Sequence, residues 1–150
     1  ARRLPAMDPG TGMLAGLVHD IGVIPMLTNA VNYTELADNP PQLQQTVDAY
    51  RGQVGTMILR RWNFPEEIAT VPLAAEEWHR DADTADYGDL VMLSQLQVMG
   101  DEPMADVPAM SETAAYQRLG LASAGITDEA SVVAEARDEV AEAQRLLIGQ

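Results

Sequence analysis

The sequence contains no cysteine and no lysine, and it has only two histidines, His19 and His79. The absence of cysteine excludes a disulfide scaffold, a thiolate metal site and a cysteine nucleophile. The absence of lysine excludes a P-loop and any Schiff-base chemistry. No serine stands in a nucleophile-elbow context, and no glycine-rich cradle for phosphate is present. Most routes to covalent catalysis are therefore closed to this chain.

The charge balance is one-sided, because 23 acidic residues face nine arginines and give a net charge of -14. Affinity for nucleic acid or anionic lipid depends on neutralising phosphates, so we expect neither as a partner. The most apolar stretch, 13–27, is interrupted by His19, Asp20 and Pro25. No membrane-spanning or targeting segment is therefore predicted. A cytoplasmic location is the expectation.

Helical periodicity dominates the sequence, and its 150 residues are expected to form a single domain over 1–150. A first helix is predicted over 11–19, after which Gly22 and Pro25 break the chain before it restarts at 24–31. Asn39-Pro40-Pro41 indicates a loop. No segment alternates as a strand does, so the fold class is predicted to be all-α.

The best-defined helix runs from Leu43 to Trp62, with apolar residues spaced by threes and fours. Gly52 and Gly55 lie inside it, and each costs about 1 kcal/mol relative to alanine. That cost indicates either the close approach of another helix or a local break. Further helices are predicted over 65–78, distorted at Pro72, and over 87–99, which we expect to be buried. The remaining predictions are loops over 81–86 and 101–108, a short helix capped by Ser111 and ended by Gly120, and a long helix over 127–147.

One short string carries more information than the periodicity. His19 and Asp20 adjoin within Leu14-Ala-Gly-Leu-Val-His-Asp-Ile-Gly22, which resembles the HD superfamily of metal-dependent phosphohydrolases. A histidine nitrogen and a carboxylate oxygen suit a divalent ion that activates water for attack on phosphorus.

A second pair of strings points to one branch of that superfamily. Tyr50-Arg-Gly-Gln-Val-Gly55, followed by Leu59-Arg-Arg-Trp62-Asn-Phe-Pro65-Glu-Glu-Ile68-Ala, resembles the HDOD family, the HD-related output domain. The resemblance covers about residues 4–148. It implies a multi-helix HD-like bundle, of which this chain is expected to be the C-terminal part, because helices of the family precede the HD string. It also implies an output or adaptor domain of bacterial signalling that acts through protein contacts.

The ligand set of an active HD enzyme is incomplete in this sequence. Such enzymes need a further upstream histidine and a downstream aspartate, whereas residues 1–18 offer only Asp8. Val23 stands where the HD-GYP phosphodiesterases have lysine, and Tyr50 stands where the HDOD family often has histidine. A stable catalytic metal site usually needs three or more protein ligands. We therefore expect no catalytic residue, no bound metal and no other cofactor.

His19 and Asp20 are interpreted as a remnant pair, in which the histidine bonds to carbonyls at the helix end and the aspartate holds the Ile21-Gly22 backbone. The other candidate residues have ordinary structural interpretations. Glu66, Glu67, Glu76 and Glu77 are predicted to be solvated, His79 to be exposed or at a rim, and Trp62 and Trp78 to be packing residues.

Three functional hypotheses follow. The first is a non-catalytic signalling module whose protein partner contacts helix faces and the loops at 33–42 and 79–88. The alternative is a phosphohydrolase of nucleotides or cyclic dinucleotides, with His19 and Asp20 as metal ligands and positive charge from Arg51, Arg60 and Arg61. The third is a scaffold that forms homo-oligomers through a helix at 132–147.

Overall fold

The computed structural model describes residues 7–99 and 107–121, and every regular element within them is a helix. The predicted all-α fold is confirmed for these residues. The predicted helix over 127–147 and the loop over 101–106 lie outside them. In chain order the helices are α1 (Pro9–Val18), α2 (Val23–Ala30), α3 (Thr34–Ala37), α4 (Pro40–Arg61), α5 (Glu66–Ala69), α6 (Val71–Ala74), α7 (Tyr87–Met99), a 3-10 turn (Met110–Glu112) and α8 (Ala114–Arg118).

The first helix packs through its small residues. Asp8 caps it by accepting a hydrogen bond from the amide of Thr11 at 2.7 Å. Gly12 and Ala15 are buried. The larger side chains of Met13 and Leu17 remain 68% and 73% exposed. The spacing of the large apolar residues therefore predicted the helix correctly, but the face with Gly12 and Ala15 is the one that packs against the rest of the protein.

The stretch Pro9–Ala30 is long and apolar enough to cross a membrane by length and composition alone, although the interruptions at His19, Asp20 and Pro25 predicted no such segment. In the structure a turn divides it into α1 and α2, of 10 and 8 residues. Each helix is far shorter than the about 20 residues that a span requires. The two helices pack onto the rest of the chain through one side and leave an apolar outer side.

The prediction of a loop at Asn39-Pro40-Pro41 is wrong, because these residues begin the longest helix. Asn39 caps α4 by accepting a hydrogen bond from the amide of Gln42 at 3.3 Å. Pro40 and Pro41 occupy the first two helical positions, where a missing N–H leaves no intrahelical bond unmade. Proline here starts the helix instead of excluding it.

The two glycines inside α4 mark close packing, as the first of the two sequence interpretations held. A β-carbon at Gly52 would lie 2.8 Å from the carbonyl oxygen of Pro72. A β-carbon at Gly55 would lie 2.8 Å from the Pro72 side chain. The helix is nevertheless continuous from Pro40 to Arg61, so the alternative of a local break is wrong.

The predicted helix over 65–78 divides into two short ones, α5 and α6, at Thr70. Pro72 lies in the first turn of α6, and it has no N–H to donate to the carbonyl of Ile68. Asn63, with a φ of 58°, turns the chain after α4. The predicted distortion at Pro72 is therefore confirmed, while the length of the helix is wrong.

Two apolar clusters form the core, and α7 contributes to both. Leu59, Ile68 and Val71 lie in the first cluster, which joins α1, α4, α5, α6 and α7. Met92, Leu96 and other α7 residues form the second cluster with α8. The prediction that α7 is buried is confirmed over most of its apolar face, although Met99 at its end is exposed.

The α8 helix is capped by Thr113 and not by Ser111 as predicted. The Thr113 hydroxyl accepts a hydrogen bond from the amide of Tyr116 at 3.2 Å and donates one to the Met110 carbonyl at 2.8 Å. Ser111 lies two residues earlier, inside the 3-10 turn. Gly120, with a φ of 65°, follows the helix as predicted.

A buried ion pair connects α7 to α8. The carboxylate of Asp89 is fully buried and accepts hydrogen bonds from Nε and Nη2 of Arg118 at 2.9 and 2.7 Å. Arg80 approaches the same carboxylate at 3.8 Å and pairs with Asp86. No local sequence pattern indicates this contact, because its partners are 29 residues apart.

Candidate functional site

His19 and Asp20 lie in the turn between α1 and α2. The Nδ1 atom of His19 is 2.6 Å from the carbonyl oxygen of Gly16, and its Nε2 atom is 3.2 Å from Oδ2 of Asp20. Both ring nitrogens thus face acceptor oxygens, so both contacts are hydrogen bonds only when the ring carries two protons. The prediction that this histidine bonds to a helix-end carbonyl is confirmed.

The carboxylate of Asp20 is held by an arginine from α4. Nη1 of Arg51 donates to Oδ1 of Asp20 at 3.2 Å, and Nη2 of the same guanidinium donates to Oε2 of Glu76 at 2.7 Å. Arg51 therefore bridges the α1–α2 turn to the residues that follow α6. The Asp20 side chain was expected to hold the Ile21-Gly22 backbone, but its carboxylate binds Arg51, and only its main-chain carbonyl accepts from Val23.

The carboxyl group of Glu76 has a shifted pKa. Burial raises the pKa of its carboxyl above the ordinary value, although the charge and hydrogen bond of Arg51 oppose the rise. The prediction that Glu76 is a solvated residue is therefore wrong, whereas its neighbour Glu77 is exposed as predicted. Three charged side chains meet at one place: Asp20, Arg51 and Glu76.

The donor set does not fit a metal ion. His19 and Asp20 could supply one nitrogen and one oxygen, but the guanidinium of Arg51 lies against the other Asp20 oxygen. Glu76 is engaged by the same guanidinium. Across residues 7–99 and 107–121, no three His, Cys, Asp or Glu side chains are grouped so that they could hold a metal. Stable metal sites usually need three or more such ligands with an orienting shell.

A groove of about 960 Å³ opens beside the cluster, and we call it the HD groove. Its polar end is formed by His19, Asp20 and Arg51, and its walls are helices α1 and α7. Trp78 closes one side, as a partly buried packing residue. The groove combines a charged end with an apolar body.

The other residues singled out in the sequence lie away from this cluster. His79 is exposed, as predicted for a rim histidine. Arg60 pairs with Glu66 at the surface. Arg61 and Trp62 line a second groove. Of the three arginines proposed to supply positive charge, only Arg51 reaches the HD pair.

The role of Glu76 was missed by sequence reasoning because it depends on a contact across 25 residues. One signal could have indicated it. Gly52 and Gly55 predicted the approach of another segment to this part of α4, and that segment carries Pro72 and, four residues later, Glu76. The close packing at the two glycines therefore brings the half-buried Glu76 near Arg51.

The family model of the HDOD domain matches residues 1–78. The match includes the HD string and the strings from Tyr50 to Ala69, and it ends at Trp78. The resemblance over 79–148 stays a prediction. No curated protein and no solved structure is significantly similar to the chain.

Proposed function

Because this chain belongs to the HDOD family, a branch of the HD superfamily related to signalling, we propose that it is a non-catalytic signal-transduction output module. It acts through contacts with other proteins. The proposal rests on one observation above all, the placement of the Arg51 guanidinium against Asp20 and Glu76. A fixed cation lies against Oδ1 of Asp20, one of the two carboxylate oxygens that the HD pair could offer to a divalent ion.

The charge of the cluster also opposes hydrolysis of phosphate esters. Arg51 is balanced by two carboxylates, so little positive charge is left to attract a phosphate or to stabilise charge that develops in its transition state. Arg60, a second candidate for this task, is occupied by Glu66. A polyanionic substrate would meet a protein whose net charge is -14.

The surface supports an interaction role. Several large apolar side chains on α1, α2 and α4 are more than half exposed, including Leu17, Ile24 and Met57. Exposed apolar patches of this kind mark interaction sites in soluble proteins. The proposed output module therefore has surfaces with which to bind other proteins.

The experiment that tests the proposal is a joint measurement of metal content and phosphodiesterase activity. The protein carrying its native flanking sequence is purified without chelator, its metals are measured by mass spectrometry, and it is assayed on a chromogenic phosphodiester with added Mn²⁺. The expected result is less than a tenth of an equivalent of metal, and activity no higher than that of His19→Ala.

One equivalent or more of a transition metal, lost in His19→Ala together with hydrolysis, would contradict the proposal. It would favour the alternative, a metal-dependent phosphohydrolase of nucleotides or cyclic dinucleotides. His79→Ala is the matched control, because His79 is exposed and lies outside the cluster.

A further inference from the structure

We infer that the groove between α2 and α4 docks an amphipathic helix of a partner protein, and that Arg61 selects a carboxylate on that helix. The inference rests on the proposed function, because it assumes that the module transmits its signal by binding other proteins. It concerns a different surface from the HD pair. We call this surface the Arg61 groove.

The Arg61 groove has a volume of about 680 Å³, and its lining is almost entirely apolar. Ile24, Met57 and Trp62 are 65%, 69% and 58% exposed, although they are among the largest apolar side chains of the described residues. Exposing such large apolar side chains to water forgoes the stabilisation that their burial against a partner would bring. Methionine, tryptophan and arginine are also enriched at protein interfaces.

The single charged residue of the lining is Arg61. Among the arginines of the described residues, Arg51, Arg60, Arg80 and Arg118 each pair with a carboxylate. The side chain of Arg61 makes no ion pair or hydrogen bond within residues 7–99 and 107–121. In a chain with 23 acidic residues, Arg61 has no carboxylate partner among the described ones, and beside an apolar groove it is positioned to receive a carboxylate from a partner protein.

Charge decides between the candidate occupants. A second copy would bring two chains of net charge -14 together, and their repulsion opposes association. An anionic lipid surface is opposed by the same net charge. A partner protein that is basic overall would be attracted, and an acidic residue at the edge of its docking helix would meet Arg61.

The shape favours a helix over an extended segment. The groove lies between two helices, and no strand edge is present in the described residues for a peptide to extend. Amphipathic helices bind such grooves through apolar side chains at positions i, i+3 or i+4, and i+7. The predicted ligand is therefore a helix with that apolar pattern and an Asp or Glu beside it.

The test uses a displayed library of 16-residue helical peptides, selected on the full chain and counter-selected on Met57→Asp. Because Met57 is largely exposed, this variant should fold, and circular dichroism checks that it does. The enriched peptides are expected to share the apolar spacing and an acidic flank. A synthetic consensus peptide should then lose about ten-fold in affinity on Arg61→Glu, and exchanging its acidic residue for arginine should restore binding to that variant.

The neighbouring Arg60 provides the matched control. It is also exposed, but it pairs with Glu66 and does not line the groove, so Arg60→Ala should change peptide affinity by less than about two-fold. The inference is overturned if no enriched peptide depends on Met57, or if Arg61→Glu has no effect, or if the charge exchange fails to restore binding. It is also overturned if sedimentation shows a dimer that Met57→Asp dissociates. None of these variants touches the HD pair, so metal content and hydrolysis decide the proposed function independently.

Discussion

The main chain of Gly22 lies directly against the main chain of Arg51, so that a β-carbon at Gly22 would overlap the Arg51 carbonyl oxygen. The glycine of the HD string is thus required for packing. It lets the α1–α2 turn approach α4 closely enough for Asp20 to reach the Arg51 guanidinium. The contact ties the position of the HD pair to that of the long helix.

Gly22→Ala should therefore destabilise the protein by about 2–3 kcal/mol, since backbone atoms on both sides must shift to admit the methyl group. Gly16→Ala is the matched control on the neighbouring helix, because a β-carbon there meets nothing within 4 Å. That substitution should be neutral or stabilise by up to about 1 kcal/mol. Chemical denaturation measures both, and equal effects of the two substitutions would refute this account of Gly22.

The pH dependence of stability should reveal the raised pKa of the half-buried Glu76. Burial raises its pKa in the folded protein above the ordinary value of 4.5, so the folded state binds the proton more tightly than the unfolded state does. Glu76 therefore favours folding at low pH, and this contribution is lost as the pH rises from 4.5 through the raised pKa. The wild type should lose stability relative to Glu76→Gln over that window.

The comparison is made by denaturant titration over a pH series that begins below the ordinary pKa of 4.5 and continues above it. Glu77→Gln is the control, because Glu77 is the exposed neighbour. If the difference in stability between the wild type and Glu76→Gln does not change with pH, the raised pKa of Glu76 is contradicted.

Arg118 should be among the residues that matter most for stability. Removing it in Arg118→Ala leaves the fully buried Asp89 carboxylate with only the more distant Arg80, at 3.8 Å. An uncompensated buried charge costs about 3–5 kcal/mol. Arg118→Lys, which keeps the charge but not the two-pronged contact, should lose less.

Thermal or chemical unfolding measures the loss of stability in the two Arg118 variants, and Arg60→Ala is the control. Arg60 forms a surface ion pair with Glu66, and such pairs contribute about 0–1 kcal/mol. If Arg118→Ala costs no more than Arg60→Ala, the Asp89 pair does not stabilise the junction of α7 and α8.

The cap of α8 can be tested with two neighbouring hydroxyls. Thr113→Ala removes the acceptor for the Tyr116 amide and should cost about 1–2 kcal/mol, whereas Ser111→Ala should change stability by less than about 0.5 kcal/mol. Thr113→Ser should retain most of the cap. If unfolding experiments show a larger loss of stability for Ser111→Ala than for Thr113→Ala, Ser111 is the N-cap, as the sequence predicted.

Local signals predicted most of the helices correctly, because apolar spacing, glycine and proline act within one turn. They failed where a proline has two possible meanings. Pro40 and Pro41 were predicted to form a loop but begin α4. The distortion at Pro72 was predicted, but the division of the helix over 65–78 into α5 and α6 was not. The packing face of α1 was also not evident from the sequence. Large apolar side chains such as Met13 and Leu17 are the expected ones to be buried, but Gly12 and Ala15 are buried instead.

The candidate site was predictable only in part. The HD pair is visible because its residues adjoin, and the family match agrees with that reading. The partners that define its chemistry are not visible, since Arg51 is 31 residues from Asp20 and 25 from Glu76. From the sequence alone the HD pair is an incomplete metal site, whereas the structure shows that a guanidinium contacts its aspartate.

The most direct test of this central claim is a Mn²⁺ titration of the wild-type protein, followed by the NMR signals of the His19 ring. Paramagnetic broadening reports any ion that binds near the HD pair. Because Arg51 occupies one face of Asp20, we predict that the His19 signals broaden no more than those of the exposed Glu77 at millimolar Mn²⁺. Saturable broadening of His19 alone, at micromolar Mn²⁺, would contradict the claim and show that the HD pair binds a metal despite Arg51.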